Sequence, residues 1–168
     1  MAKVLSLDIG ITTGFVYGEG RDYSLGEAAT PVKDERQVFE VAKAIESTIQ
    51  SFPVIDLCII EGYAYGSGFF NYMQPEITGQ VKRFLWDSKI PYVSIPANSM
   101  RLAVLGNGGA TKMAVRKHLI KSFSVPSKQS PHVYDAFLGF VFLQMYFTNR
   151  LSKEHHAAVE HSIVGGRK

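Results

Sequence analysis

The stretch KVLSLDIG at residues 3–10 decides the fold, because a short apolar run ends there in an acid that a glycine soon follows. Such a run predicts a buried strand whose acid lies where the strand leaves its sheet. Residues 14–18 and 23–28 have the pattern of two more strands, and residues 19–22 between them, with Gly20, are typical of a tight hairpin turn. The chain therefore opens with three antiparallel strands.

Helices and strands alternate after this meander, which predicts a mixed α/β domain at residues 1–150. A polar tail at residues 151–168, expected to be partly disordered, follows it. The helix at 98–105 is assigned a cap at Asn98, the next one a cap at Thr111, and the last one a cap at Ser130. The predicted elements are a helix at 34–51, a strand at 56–61, a helix at 75–89, a strand at 92–95, and helices at 98–105, 111–123 and 131–150.

The composition is that of a folded domain, with 168 residues, 46% hydrophobic and 20% charged, and a net charge of +3. Cys58 is the only cysteine, which excludes an internal disulfide or a zinc site made of cysteines and favours a reducing compartment. The N-terminal residues lack the pattern of a signal peptide. The most apolar segment, 136–143, is too short to cross a membrane, so we expect no membrane partner.

Three acidic residues lie at positions that are typical of catalytic or metal-binding sites. Asp8 and Glu61 each end a buried strand, and Asp135 lies in the first turns of an apolar helix, with His132 three residues earlier on the same face. Burying three carboxylates together is costly unless cations neutralise them. Two Mg²⁺ ions, or Mn²⁺, roughly 4 Å apart would do so and would promote phosphodiester cleavage. Alternatively, Asp8 and Glu61 are helix caps or solvated turn residues, and His132 is a surface residue, whereas an unpartnered Asp135 among apolar residues would be costly.

Four stretches resemble, in order, the Holliday-junction resolvases represented by bacterial RuvC. The match runs from about residue 3 to residue 147. The resemblance implies a ribonuclease-H-like fold with a mixed five-stranded sheet, three strands antiparallel and then two parallel, flanked by helices. It also implies a cytoplasmic homodimer, in a bacterium or a phage-infected cell, that nicks four-way DNA junctions with Mg²⁺. The stretches are LDIGITTGF at 7–15, IIEGYAYG at 59–66, AVLGNGGATKMAVRKHL at 103–119 and HVYDAFLGF at 132–140.

The resemblance also assigns roles to individual residues. Asp8, Glu61 and Asp135 match the family's metal-binding acids. His132 stands at a position that is an acid in some members and a histidine in others, so it either ligates a metal or handles a proton at the water. Lys112 matches a DNA-contacting lysine of the family.

Basic residues cluster on the 111–123 helix. Lys112 and Arg116 are four residues apart and project on one face, which favours contact with a phosphate backbone. Lys117 belongs to the same cluster, with a solvated helix face as the alternative. Lys82 and Arg83, on the 75–89 helix, are predicted to extend the same DNA-binding surface.

Aromatic residues crowd the glycine-rich segment after Glu61. We expect one or two of Tyr65, Phe69 and Phe70 to stack on bases or to wedge the junction open, the alternative being core or dimer packing. The 131–150 helix is apolar nearly all round, which predicts burial against the sheet and against a second surface, either a partner subunit or the 75–89 helix.

Other functions share parts of this pattern. The same fold could act on flaps, other branched DNA or structured RNA, or could bind junctions without cutting them. A polyanion binder gains nothing from three clustered carboxylates, which disfavours the last option. The DIGITTG motif also occurs in actin-like and sugar-kinase ATPases, but those need two such domains, and this chain is too short.

Overall fold

The fold is known from a computed structural model that describes residues 2–62 and 73–165. Within these residues a single sheet has five strands in the order β3-β2-β1-β4-β5. β1, β2 and β3 pair antiparallel, whereas β4 is parallel to β1 and β5 is parallel to β4. The expected mixed sheet is therefore confirmed. The strands are β1 (Val4–Asp8), β2 (Thr13–Glu19), β3 (Asp22–Ala28), β4 (Leu57–Gly62) and β5 (Tyr92–Pro96).

Helices cover both faces of the sheet, because alternate side chains of each strand point to opposite faces and pack in two separate apolar cores. Leu5 and Leu7 of β1 pack with α1 and α2. Val4 of β1 faces the other way, into the core that contains the buried residues of α3, α4 and α5. The helices in the described residues are α1 (Gln37–Gln50), α2 (Met73–Asp87), α3 (Ala97–Leu105), α4 (Lys112–Phe123), α5 (Pro131–Phe147) and α6 (Lys153–Ser162).

Helix α5 is the centre of the second core. Every residue from 133 to 143 is buried, since the sheet covers one side of the helix and α3 and α4 cover others. Gly139 lets it approach β1, because a Cβ atom there would collide with the hydroxyl of Ser6. The prediction that the 75–89 helix covers α5 is wrong: α2 packs on the opposite face of the sheet. The surplus apolar surface of α5 is buried within the chain.

The predicted helix caps are confirmed only in part. Thr111 and Ser130 each accept a hydrogen bond from a backbone N–H of the first turn, as predicted. Asn98 is not the cap of α3, which begins at Ala97 after Pro96. The Asn98 side chain instead accepts a hydrogen bond from the N–H of Ser99. Helix α1 begins only at Gln37, because the carboxylate of Asp34 binds the backbone and guanidinium of Arg36 in a preceding turn.

The segment after residue 150 is more ordered than its polar composition suggests. Ser152 caps α6, and Val159 of that helix is fully buried in the core of α5. Val164 then pairs antiparallel with Tyr92 of β5. The division of the chain at residue 150 stays a prediction, but much of this segment is folded against the domain. Across the described ranges, no helix combines the length and apolarity that a membrane crossing requires.

Candidate active site

Asp8 and Glu61 lie next to each other at the carboxyl ends of the adjacent parallel strands β1 and β4. Leu7 lies beside Ile60 in the parallel pair of β1 and β4, and both belong to the core of α1 and α2. The next residue of each strand must therefore point to the other face. Asp8 and Glu61 thus face the layer that contains α5.

Helix α5 brings two more predicted residues to this edge. The first is His132, whose Nδ1 lies 3.1 Å from Oδ2 of Asp8. Asp135, one turn later, is only 5% exposed. Gly14 makes this approach possible: it pairs with Asp8, and a Cβ atom there would collide with the carbonyl of His132. We call the carboxylates of Asp8, Glu61 and Asp135 the acid edge.

The three acids interact electrostatically, which shows that they face a common region. Burial raises the pKa of Asp8, and the charge of Asp135 raises it further, although the hydrogen bond from His132 works against both. Burial, followed by the charges of Asp8 and Asp135, raises the pKa of Glu61 to about 7. Asp135 therefore makes Asp8 and Glu61 harder to ionise, and Asp8 does the same to Glu61, as expected for carboxylates that share a site.

Lys112 is the counter-charge of the acid edge. Its Nζ lies 2.5 Å from Oδ2 of Asp135, and this hydrogen bond is the main reason why the pKa of Lys112 is raised. Its charge also lowers the pKa of Glu61. The lysine predicted to contact DNA is thus paired with a predicted metal ligand.

Arg101 belongs to the same site, although the sequence did not single it out. It lies on α3, which begins directly after β5 at the edge of the sheet where Glu61 emerges. Its charge lowers the pKa of Glu61. Its buried Nε has no hydrogen-bond partner among the described residues. A basic residue in a helix that directly follows a parallel strand was the available signal.

The acid edge offers the donor set of a divalent cation site. Its donors are carboxylate oxygens, which suit Mg²⁺ or Mn²⁺. The buried Oε2 of Glu61 has no hydrogen-bond partner within residues 2–62 and 73–165, so it is free to coordinate a cation. In those same ranges, no three acidic, histidine or cysteine side chains are already arranged as ligands of one ion. Asp135 is engaged by Lys112, and Asp8 by His132. The chemistry fits a metal once these partners are exchanged.

The predicted DNA-binding residues do not form one surface. Arg116 is fixed against the start of α5: its Nη2 donates to the carbonyl of Ser127 at 2.8 Å, and its guanidinium lies 5.1 Å from the ring centre of Tyr134. Lys117 is exposed on the same helix.

Lys82 and Arg83 lie apart from these residues. Their helix, α2, is on the opposite face of the sheet from α4, and Arg83 is paired with Asp87 at 2.6 Å. The expectation that they extend the α4 surface is therefore wrong. Tyr65, Phe69 and Phe70 lie outside the described residues.

The chain has a RuvC-like fold, with five strands in the order β3-β2-β1-β4-β5. Two solved structures of Thermus thermophilus RuvC are similar to this chain. One has a TM-score of 0.69 and 17% identity, and covers 89% of this chain and 98% of its own.

The second structure, of RuvC in complex with a Holliday junction substrate, has a TM-score of 0.70 and 14% identity. The match covers 90% of this chain and 99% of that one. The expected RuvC-like fold is thereby confirmed, and identities at this level establish the fold but not the activity. No protein family's sequence profile matches the chain, and neither does any curated protein.

Proposed function

We propose that this chain is a metal-dependent endonuclease that resolves four-way DNA junctions by paired, symmetric nicks. The observation that carries the proposal is the acid edge itself: Asp8, Glu61 and Asp135 come from three separate elements that meet at one edge of the sheet, and the charges of Asp8 and Asp135 raise the pKa of Glu61. Burying carboxylates together is costly, and metal-dependent phosphodiester hydrolysis is a chemistry that uses such a cluster.

The acid edge would hold two Mg²⁺ ions, with Mn²⁺ as an alternative, through Asp8, Glu61 and Asp135 and with His132 as a further ligand or a proton carrier. When bound, such ions lower the pKa of water and stabilise the leaving oxygen. In the hydrolysis, a water oxygen bonds to phosphorus and gives up a proton, the P–O bond to the leaving strand breaks, and that strand's oxygen takes up a proton. Lys112 lies beside the acid edge and would orient the phosphate there.

A homodimer suits this substrate, since two symmetric nicks require two equivalent sites related by a two-fold axis. The cationic residues of α4 would hold the phosphate backbone beside the acid edge, which makes affinity dependent on salt. The assembly is measured by light scattering on the purified protein. The cytoplasmic location implied by the family resemblance remains a prediction.

The experiment is cleavage of a labelled, immobile four-way junction with and without Mg²⁺. We expect symmetric nicked duplexes from the wild type only with the metal. D8N, E61Q and D135N should each lose cleavage and keep junction binding, because the neutral amides preserve shape but bind cations poorly. E154Q, an exposed change on α6, is the control. Retained cleavage in all three variants would refute the proposal.

The substrate is tested under the same conditions. A flap, a replication fork and an RNA duplex are compared with the four-way junction at equal concentration. We expect preference for the junction. Preference for another substrate would keep the chemistry and change the biological role, whereas Mg²⁺-independent binding without cleavage of any substrate would indicate a binding module.

A further inference from the structure

The ammonium group of Lys112 places a positive charge of the protein itself at the acid edge. Its ammonium contacts Asp135 at 2.5 Å, and its charge acts on Asp8 and Glu61 as well. The pair is asymmetric: the side chain of Asp135 is 6% exposed, whereas that of Lys112 is 67% exposed. Asp135 is therefore fixed in the core, and Lys112 is the partner that can leave.

The ammonium and a divalent cation compete for the charge of Asp135. An ammonium 2.5 Å from Oδ2 repels a divalent cation placed at the same carboxylate. A metal ion at this carboxylate is therefore bound more weakly while Lys112 stays, and it gains affinity when Lys112 leaves.

A released Lys112 needs another anion. It is the first residue of α4, directly after the cap Thr111, so its flexible stem lies at the exposed start of the helix. In the proposed function, the anion that arrives at this position is a DNA phosphate. An ammonium is a mobile point charge that can move from a carboxylate to a phosphate without any change in the backbone.

We propose that Lys112 couples metal binding to DNA binding, by pairing with Asp135 when DNA is absent and moving to a phosphate when DNA is bound. This inference rests on the proposed function and adds a regulatory element to it. DNA raises the affinity for the metal, and by linkage the metal raises the affinity for DNA by the same factor. The enzyme therefore loads its full set of ions mainly on its substrate.

The test measures Mn²⁺ affinity by calorimetry, first on the free protein and then on its complex with a four-way junction. Phosphorothioate linkages around the junction centre prevent cleavage, and Mn²⁺ binding by the junction alone is subtracted. K112M removes the competing charge, and K112R keeps a charge at the same position. K121M removes a lysine from the last turn of the same helix, far from the acid edge, and is the matched control. Thermal melting verifies that each variant is folded.

We expect the free K112M protein to bind Mn²⁺ at least several-fold more tightly than the wild type, while K121M is unchanged. The gain in affinity caused by DNA should be about 5-fold or more in the wild type, as is typical of coupled sites, and clearly smaller in K112M. K112R should remain close to the wild type. Unchanged or weaker Mn²⁺ binding by free K112M, or an undiminished gain with DNA, would overturn the coupling alone. Absence of Mn²⁺ binding in the wild type, with and without DNA, would overturn the proposed function as well.

Discussion

A Cβ atom on Gly14 would collide with the carbonyl group of His132, so the start of α5 lies directly on strand β2. This close approach sets the distance between Asp8, which pairs with Gly14, and the two predicted site residues of α5. The geometry of the acid edge therefore depends on a residue that contributes no functional group.

We expect G14A to displace the start of α5 and to lower both stability and cleavage. Overpacking of this kind costs about 1–3 kcal/mol, and each kcal/mol lowers Tm by about 2–4 °C in a chain of this size. Thermal melting and junction cleavage are the measurements. G79A is the matched control, because Gly79 lies in α2 with open space around it, and alanine there should leave Tm equal or higher. Equal Tm and activity of G14A and G79A would show that the close approach is unimportant.

Glu61 should make the metal-free protein less stable as pH rises. Its pKa in the fold is about 7, above the ordinary value of 4.5, so the folded chain holds a proton that the unfolded chain releases. Stability is therefore lost between about pH 4.5 and pH 7. With allowance for solvent screening, the loss is on the order of 1–2 kcal/mol. The difference in unfolding free energy between wild type and E61Q, measured in a chelator at pH 4.5 to 8, isolates this effect. A difference in unfolding free energy that is constant over that range would contradict the raised pKa of Glu61.

His132 should control the ionisation of Asp8. Its hydrogen bond and charge lower the pKa of Asp8, so H132A removes both and lets Asp8 take up a proton at higher pH. We expect the acidic limb of the pH profile for cleavage to move to higher pH in H132A, together with lower activity at pH 7. H161A, on α6, is the control. A fall in rate with an unmoved profile would indicate that His132 serves as a metal ligand only.

Val159 should link the C-terminal helix to the stability of the whole domain. It is fully buried against the core of α5, and a valine buried in this way contributes about 1.5–3 kcal/mol. We expect V159A to lower Tm in a single cooperative transition. A158S, an exposed change on the same helix, should have no effect. If V159A had the same Tm as the wild type, the burial of Val159 would not contribute to the stability of the domain.

The individual strands and the positions of the acids on them could be predicted from the sequence, because both follow from local patterns. Strand ends place Asp8 and Glu61, and the cap at Ser130 fixes where α5 begins and hence where Asp135 lies. These features depend on neighbours within a few residues, which a single sequence displays. The arrangement of three antiparallel and then two parallel strands was implied by the family resemblance, since it joins segments as distant as β1 and β4.

The remaining features depend on contacts between distant segments. The pairing of Lys112 with Asp135 joins residues 23 positions apart, and the basic pattern of α4 predicted a DNA contact for this lysine and not a carboxylate partner. Arg101 acts on Glu61 because the parallel pairing of β4 and β5 places the start of α3 at the edge where Glu61 emerges. Helix α6 buries one apolar residue, Val159, in an otherwise polar segment, so the composition of the segment alone suggested disorder.

Helix α5 is both the most buried helix of the described chain and the one that carries Asp135. The position of Asp135 is therefore set by the packing of the protein interior. Substitutions among the buried residues of α5 are expected to displace this carboxylate as well as to lower stability.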